Sequence, residues 1–178
     1  MKRIPFVDEE QLISPEVLAA IKERRGGKLL KLDRMLLHSP NYAAGWNTFL
    51  GQVRTGLTIP PKLAELAICY VAILNNASYE LEQHTPIFIS AGGTQAQVDA
   101  LRAGNFDSPE FDPADTAVIT LTREMTQDIA VSDSTIAQLK AHVGDEQQVV
   151  EIIGVVAAYN MVSRFLVALE INSEIHDN

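Results

Sequence analysis

Three side chains between Pro61 and Gly93 have the chemistry of an acid–base site: Glu65, Glu80 and His84. Glu80 and His84 are four residues apart, so on a helix they share one face and their side chains can meet. Glu65 stands in an apolar segment, where burying a carboxylate without a partner is costly. Two carboxylates and an imidazole in an apolar cleft shift one another's pKa values, as the groups of general acid–base sites do.

We therefore predict that Glu65 and Glu80 both lie within hydrogen-bond reach of the His84 ring, directly or through one water. A tight turn at Asn75-Asn76 would fold the helix of Glu65 back on that of His84. The two negative charges favour the protonated ring, whereas burial disfavours it. We expect the charges to win and to raise the pKa of His84 above the ~6.5 of a free side chain.

Other interpretations of the same residues stay open at this stage. A Glu–His pair at this spacing is often exposed and contributes only a few tenths of a kcal/mol. Glu65 could be a first-turn acid that the helix dipole favours after Pro60-Pro61. Metal sites of helical bundles usually have Glu-x-x-His pairs and further ligands, which Glu65, Glu80 and His84 do not provide. We therefore expect neither a metal nor another cofactor.

Cys69 is the one cysteine of the chain, so an intrachain disulfide and a CxxC redox pair are both excluded. It lies one helical turn after Glu65, on the same face. A single cysteine in an apolar helix most often acts as a small buried side chain. Its role is left open.

The periodicity of apolar residues predicts an all-α fold. One helix should run from Pro61 to Asn75-Asn76, and Ser78 should cap a second that ends at Gly92-Gly93, with a kink or short break at Pro86. Other helices are predicted from Ser14-Pro15, before and after Ser39-Pro40, through Leu101, from Asp112-Pro113 to about Asp128, from Ser132 or Asp133 to Gly144, and from Val149 to about Ile171. No segment alternates strictly enough to predict a strand.

Composition limits the possible partners and location. The 178-residue chain has a net charge of -9, which argues against a nucleic-acid partner. Neither the N-terminus nor the short apolar run from Ile152 to Ala158 predicts a signal peptide or a membrane span of ~20 residues. We expect a cytoplasmic protein with one domain over 1–178, in which residues 1–29 form a helical extension.

The stretch PKLAELAICYVAILNNASYELEQHTPIFISAGGTQAQVDAL resembles the core of the carboxymuconolactone decarboxylase family, which also includes alkyl hydroperoxidase D. The decarboxylase branch has the pattern E-x14-E-x3-H, and Glu65, Glu80 and His84 fit it without a gap. The peroxidase branch has E-x11-C-x2-C-x3-H, and Ala77 and Glu80 stand where its two cysteines would be. The resemblance extends over about residues 30–172 and places the chain in the branch without the cysteine pair.

The resemblance implies an all-α multi-helix domain whose antiparallel hairpin carries the site, and a homo-oligomer, either a dimer, a trimer or a hexamer. It also implies a small-molecule acid–base enzyme, a carboxy-lyase acting on a small carboxylic acid or lactone. His84 would be the general acid/base, Glu80 its partner or a second proton donor, and Glu65 would orient the imidazole or hold a water. The alternatives are a cysteine-independent or residual peroxidase, and a non-catalytic helical scaffold.

Overall fold

The computed structural model describes residues 3–8 and 14–171. These residues form nine α-helices and one π-helical segment, without a strand, which confirms the predicted all-α class. The chain divides into two compact units, one comprising Met1–Gly56 with Ala168–Asn178 and the other comprising Leu57–Val167. The assignment of 1–178 to one domain with an extension over 1–29 stays a prediction. Its residues 1, 2, 9–13 and 172–178 lie outside the described part of the chain.

The first unit contains three helices in which α3 is the common packing partner. Their bounds are Pro15–Arg24 for α1, Lys31–Leu36 for α2 and Pro40–Thr55 for α3. Both α1 and α2 pack against α3. Proline occupies the first position of α1 and α3, where its missing N–H leaves no hydrogen bond unmade.

The second unit carries the predicted site. Its helices are α4 (Pro61–Leu74), α5 (Ser78–Ser90), α6 (Gln95–Ala103), α7 (Pro113–Arg123), the π-helical segment (Glu124–Asp128), α8 (Asp133–His142) and α9 (Glu146–Ala168). Side chains cap α6, α7 and α8, where Thr94, Asp112 and Ser132 accept hydrogen bonds from backbone N–H groups.

Helix α4 is the central element of the second unit. It packs against α5, α6, α7 and the π-helical segment. Nine of its fourteen residues are buried, so α4 packs against other helices on most of its surface rather than along one apolar stripe. A polar side chain on this helix therefore has few routes to water, and Glu65 is the single acidic residue within it.

A tight turn joins α4 to α5 and forms the predicted antiparallel hairpin. Asn76 has a φ of 53°, and the N–H of Ala77 donates to the carbonyl of Ala72 at 2.8 Å. This is a left-handed helix stop, and asparagine tolerates it better than most residues with a side chain. The N-cap of α5 is Ala77, so the prediction that Ser78 caps this helix is wrong. Ser78 is instead the first residue of the helix.

Helix α5 continues through Pro86 without the predicted break. Pro86 lacks a backbone N–H, so one hydrogen bond of the helix is missing in its third turn. The residue before it makes an additional hydrogen bond to the helix backbone through its side chain. The Thr85 hydroxyl donates to the carbonyl of Leu81 at 2.7 Å. The face that carries Glu80, His84 and Phe88 thus stays continuous and buried.

Helix α9 is long and apolar enough, by length and composition alone, to cross a membrane. In its most apolar window, 56% of the residues are buried inside the protein. Core helices of soluble proteins can have the same length and hydropathy, so these properties are weak evidence for a membrane span. The expectation that the protein does not bind a membrane stays a prediction.

Candidate active site

The hairpin brings Glu65 of α4 beside His84 of α5. Glu65 lies beyond the first turn of α4, so the alternative in which it serves only as a dipole-favoured first-turn acid is wrong. Glu80 and His84 are both buried, with 5% and 6% of their surfaces exposed, so the alternative of an exposed Glu–His pair is also wrong. Glu65 is equally enclosed, at 6%.

The His84 imidazole lies between the two carboxylates. Its Nδ1–H donates to Glu65 Oε2 at 2.6 Å, and its Nε2 lies 3.0 Å from Glu80 Oε1. The predicted convergence of the three side chains is therefore confirmed. Only the protonated ring carries a hydrogen on both nitrogens, so this geometry favours an imidazolium. Such a cluster has two negative charges and one positive charge.

Two opposing effects decide the pKa of His84. Desolvation is the largest of them and lowers the pKa, because burial disfavours the charged ring. Hydrogen bonds to Glu65 and Glu80 and the negative charges of these carboxylates act in the other direction. Together they outweigh burial and raise the pKa of His84, in the direction that the sequence predicts.

The cluster falls within the part of the chain that matches a known protein family. Residues 40–124 match the model of the carboxymuconolactone decarboxylase family. The match includes Glu65, Glu80 and His84, which fit the pattern of the decarboxylase branch. No curated protein sequence matches the chain.

Solved structures share the fold of this protein along nearly the whole chain. One is the alkylhydroperoxidase AhpD core of an uncharacterized peroxidase-related protein from Ralstonia eutropha JMP134, with a TM-score of 0.81 at 14% identity over 97% of this chain and 92% of that one. Another is an uncharacterized peroxidase-related protein from Silicibacter sp. TM1040, with a TM-score of 0.78 at 15% identity over 99% and 97% of the two chains.

A third similar structure is the debrominase Bmp8 in complex with 2,3,4-tribromopyrrole, with a TM-score of 0.75 at 15% identity over 98% of this chain and 94% of that one. At such low identities these structures share the fold alone. They confirm the all-α architecture of this protein and assign it no substrate.

Cys69 lies close to the cluster, but its thiol is unreactive. Its side chain is fully buried. Desolvation raises the pKa of the Cys69 thiol to about 12, and the negative charge of Glu65 adds to this effect. A hydrogen bond with the Thr85 side chain opposes the rise without cancelling it. Because the thiolate is the nucleophile in cysteine chemistry, this thiol is not poised to react.

Tyr159 of α9 is a site neighbour that the sequence analysis did not single out. Its ring centroid lies 5.1 Å from that of His84, and the two ring planes are 82° apart. The residue is 3% exposed. A tyrosine in a long apolar helix is typical of a core residue. The one signal in the sequence for a role at the site is its hydroxyl, which requires a polar partner when it is buried.

The arrangement of the carboxylates differs from that of a metal site. Glu65 and Glu80 contact different nitrogens of one imidazole, so each carboxylate pairs with a ring N–H. Within residues 3–8 and 14–171, no three histidine, cysteine or acidic side chains are grouped so that they could hold a metal ion. The expectation that the protein needs no metal or other cofactor stays a prediction.

A groove of about 370 Å³ lies between α7 and α8 and contains none of the cluster residues. Phe111, Thr116, Thr120 and Gln138 are among the residues that line it. Two of its hydroxyls already donate to their own helix, Thr116 to the carbonyl of Asp112 and Thr120 to that of Thr116. The groove therefore lacks the paired titratable groups that acid–base chemistry needs.

Proposed function

We propose that the protein is a small-molecule acid–base enzyme similar to carboxymuconolactone decarboxylase, a carboxy-lyase acting on a small carboxylic acid or lactone. The observation that carries this proposal is the buried His84 ring held between Glu65 and Glu80. The match of residues 40–124 to the model of the carboxymuconolactone decarboxylase family supports the same class of reaction.

Loss of CO2 from an unsaturated lactone acid needs a proton donor. The bond between the ring carbon and the carboxylate breaks, and its electron pair moves into the conjugated lactone. A proton must then add to the carbon skeleton to give the enol-lactone. The raised pKa of His84 favours the protonated ring, so in our proposal His84 supplies that proton as a general acid and recovers one from solvent afterwards.

The two contacts of the imidazole suggest different roles for the carboxylates. The Nδ1 contact to Glu65 is shorter, 2.6 Å against 3.0 Å for the Nε2 contact to Glu80. In our proposal Glu65 anchors and orients the ring, and Nε2 is the atom that delivers the proton. Glu80 holds the proton on Nε2 until the substrate takes its place, or passes it on as a second donor.

Incubation with 4-carboxymuconolactone tests the proposal. We expect release of CO2 and formation of the enol-lactone, and a decrease of about 10²- to 10⁴-fold in kcat for His84→Gln, the usual contribution of a general acid. The matched control is His142→Gln, since His142 is an exposed histidine on α8. Wild-type protein that releases no CO2 would exclude this substrate, and turnover unchanged by His84→Gln would exclude the acid–base role.

A peroxidase of the hydroperoxidase D kind is the first alternative, since one of the similar structures is described as an alkylhydroperoxidase AhpD core. That chemistry needs one thiolate to attack the peroxide and a second thiol to resolve the sulfenic acid. This chain has one cysteine, and it is buried with a raised pKa. Turnover of a hydroperoxide with a dithiol reductant, abolished by Cys69→Ser, would favour this alternative over ours.

A non-catalytic scaffold is the second alternative. It predicts that replacing Glu65, Glu80 or His84 changes no activity and no ligand binding. A buried charged cluster is expensive to maintain for structure alone, because apolar residues of similar volume often serve as well. We therefore favour an acid–base role for the three residues.

A further inference from the structure

The proposed proton transfer depends on the orientation of one imidazole. Both ring nitrogens of His84 must face a carboxylate at the same time, Nδ1 toward Glu65 and Nε2 toward Glu80. Rotation of the ring about its Cβ–Cγ bond carries both nitrogens out of line. Rotamer preferences do not prevent it, because this torsion has broad and shallow minima in histidine. A neighbouring side chain has to hold the plane of the ring.

Tyr159 is placed to do this. Its ring lies nearly perpendicular to the imidazole, at 82° and with the centroids 5.1 Å apart, and the residue is buried. An edge-to-face contact between rings at this separation is favourable and has a defined geometry. We infer that Tyr159 is a positioning residue for His84, whose ring holds the imidazole plane in line with the carboxylates of Glu65 and Glu80.

The next residue along α9 fixes the position of Tyr159 itself. The side-chain amide oxygen of Asn160 accepts from Asn75 Nδ2 at 3.0 Å and from an Arg164 guanidinium N–H at 2.8 Å. The amide nitrogen of Asn160 donates to Thr126 Oγ1 at 2.9 Å and to the carbonyl of Val156 at 3.1 Å. The Asn160 amide thus makes four hydrogen bonds.

This network fixes α9 on the hairpin that carries the site. Asn75 ends α4, the helix of Glu65, and it also donates to Ser163 Oγ at 2.8 Å. The rotation of α9 about its axis is therefore set at the residue beside Tyr159. As a result, the tyrosine ring reaches the imidazole from a backbone that is tied to α4, so it does not depend on the His84 side chain for its own position.

The inference deepens the proposed function and rests on His84 as the proton donor, but the positioning itself is measurable without substrate. Removing the ring in Tyr159→Leu should let the imidazole rotate and weaken both of its contacts, so that less opposes the effect of desolvation on the His84 pKa. By NMR we expect the pKa of His84 to fall by about one unit, a tenfold loss of proton affinity, and the ring N–H signals to broaden.

Two further variants complete the experiment. Tyr159→Phe keeps the ring and should keep the wild-type His84 pKa and ring signals. Tyr70→Leu makes the same change at another buried tyrosine, whose ring contacts Phe106, 5.5 Å away between centroids, and it should leave the His84 signals unchanged. Urea denaturation of each variant verifies that it is folded.

The possible results separate the inference from the proposed function. A Tyr159→Leu protein that folds and keeps the wild-type His84 pKa would overturn the inference. So would a Tyr159→Phe protein that loses the raised pKa as fully as Tyr159→Leu, since the hydroxyl rather than the ring would then be responsible. If the NMR results are as expected but wild-type protein releases no CO2 from 4-carboxymuconolactone, the proposed substrate fails and the positioning role stands.

Discussion

At the scale of single residues, the charge of the His84 ring depends on a balance between burial and neighbouring carboxylates. With one carboxylate at each ring nitrogen, the folded protein binds a proton on His84 more tightly than the unfolded chain does. Removing both carboxylates leaves desolvation unopposed, and desolvation lowers the pKa of a histidine.

We predict that a titration of the His84 ring by NMR gives a pKa above ~6.5 in wild-type protein and below it in the Glu65→Gln, Glu80→Gln double variant. The control is Glu82→Gln, which removes an exposed carboxylate from the same helix and should leave the His84 pKa unchanged. A wild-type pKa below ~6 that does not fall in the double variant would refute the charged cluster.

The same shift makes stability depend on pH. Because the folded pKa of His84 is raised, the stabilisation is complete below the unfolded pKa of ~6.5 and is lost as pH rises through the folded pKa. Urea denaturation across that range should therefore give a free energy of unfolding that falls with pH in wild-type protein. The fall should be smaller in His84→Gln, and equal falls in the two proteins would contradict the linkage.

Cys69 illustrates how burial lowers the reactivity of a thiol. Its pKa of about 12 leaves almost no thiolate near neutral pH, and its side chain has no exposed surface. We predict that a thiol reagent such as Ellman's reagent labels Cys69 very slowly in folded protein and rapidly in urea. Labelling that is equally fast in folded protein and in urea would mean that the thiol is accessible and reactive. That result would favour the peroxidase alternative.

At the scale of elements, the end of α5 depends on a close approach of the backbone to an aromatic ring. The N–H of Gly93 donates to the carbonyl of Phe88 at 2.9 Å, and a Cβ at Gly93 would overlap the Phe88 ring. Phe88 is fully buried, so its ring has no space into which to retreat. A glycine is required at this position because a side chain would overlap the Phe88 ring, not because the backbone needs the conformational freedom of glycine.

We predict that Gly93→Ala lowers the free energy of unfolding by about 1–3 kcal/mol, the usual cost of overpacking a core. The matched control is Gly45→Ala in α3, where a Cβ would meet no atom. That variant should stabilise the protein by about 0.5–1 kcal/mol, because glycine is a poor helix residue. Urea denaturation of both variants measures the difference, and a neutral Gly93→Ala would show that the Phe88 ring can move.

At the scale of the whole molecule, the family resemblance predicts a homo-oligomer. The long helix α9 exposes Val150, Met161 and Val167, with 68%, 36% and 45% of their surfaces in contact with solvent. Exposed apolar side chains are common at interfaces between subunits, although single ones also occur on monomers. A second copy of the chain could cover them.

We expect light scattering after size-exclusion chromatography to give the mass of a dimer, a trimer or a hexamer of the 19.5 kDa chain. A dilution series serves as the control for weak association, because a specific oligomer keeps its mass over a range of concentrations. A monomer at all concentrations would contradict the prediction. The cytoplasmic location is likewise a prediction, and fractionation of expressing cells would test it.

The sequence by itself determined those features that depend on local order along the chain. Apolar periodicity, capping residues and proline positions predicted the helices, and the spacing of Glu80 and His84 put them on one helix face. A close pairing of Glu65 with His84 followed from the Asn75-Asn76 turn and from the family pattern. These inferences succeed because helix geometry repeats within a few residues.

Only the tertiary structure decided how the site is enclosed and oriented. The burial of all three residues, the assignment of Nδ1 to Glu65 and of Nε2 to Glu80, and the approach of Tyr159 depend on packing between helices that are distant in sequence. The same is true of the Gly93 contact with Phe88. A helical pattern shows which residues share a face, whereas the rotation and depth of that face are set by side chains that meet only after the chain has folded.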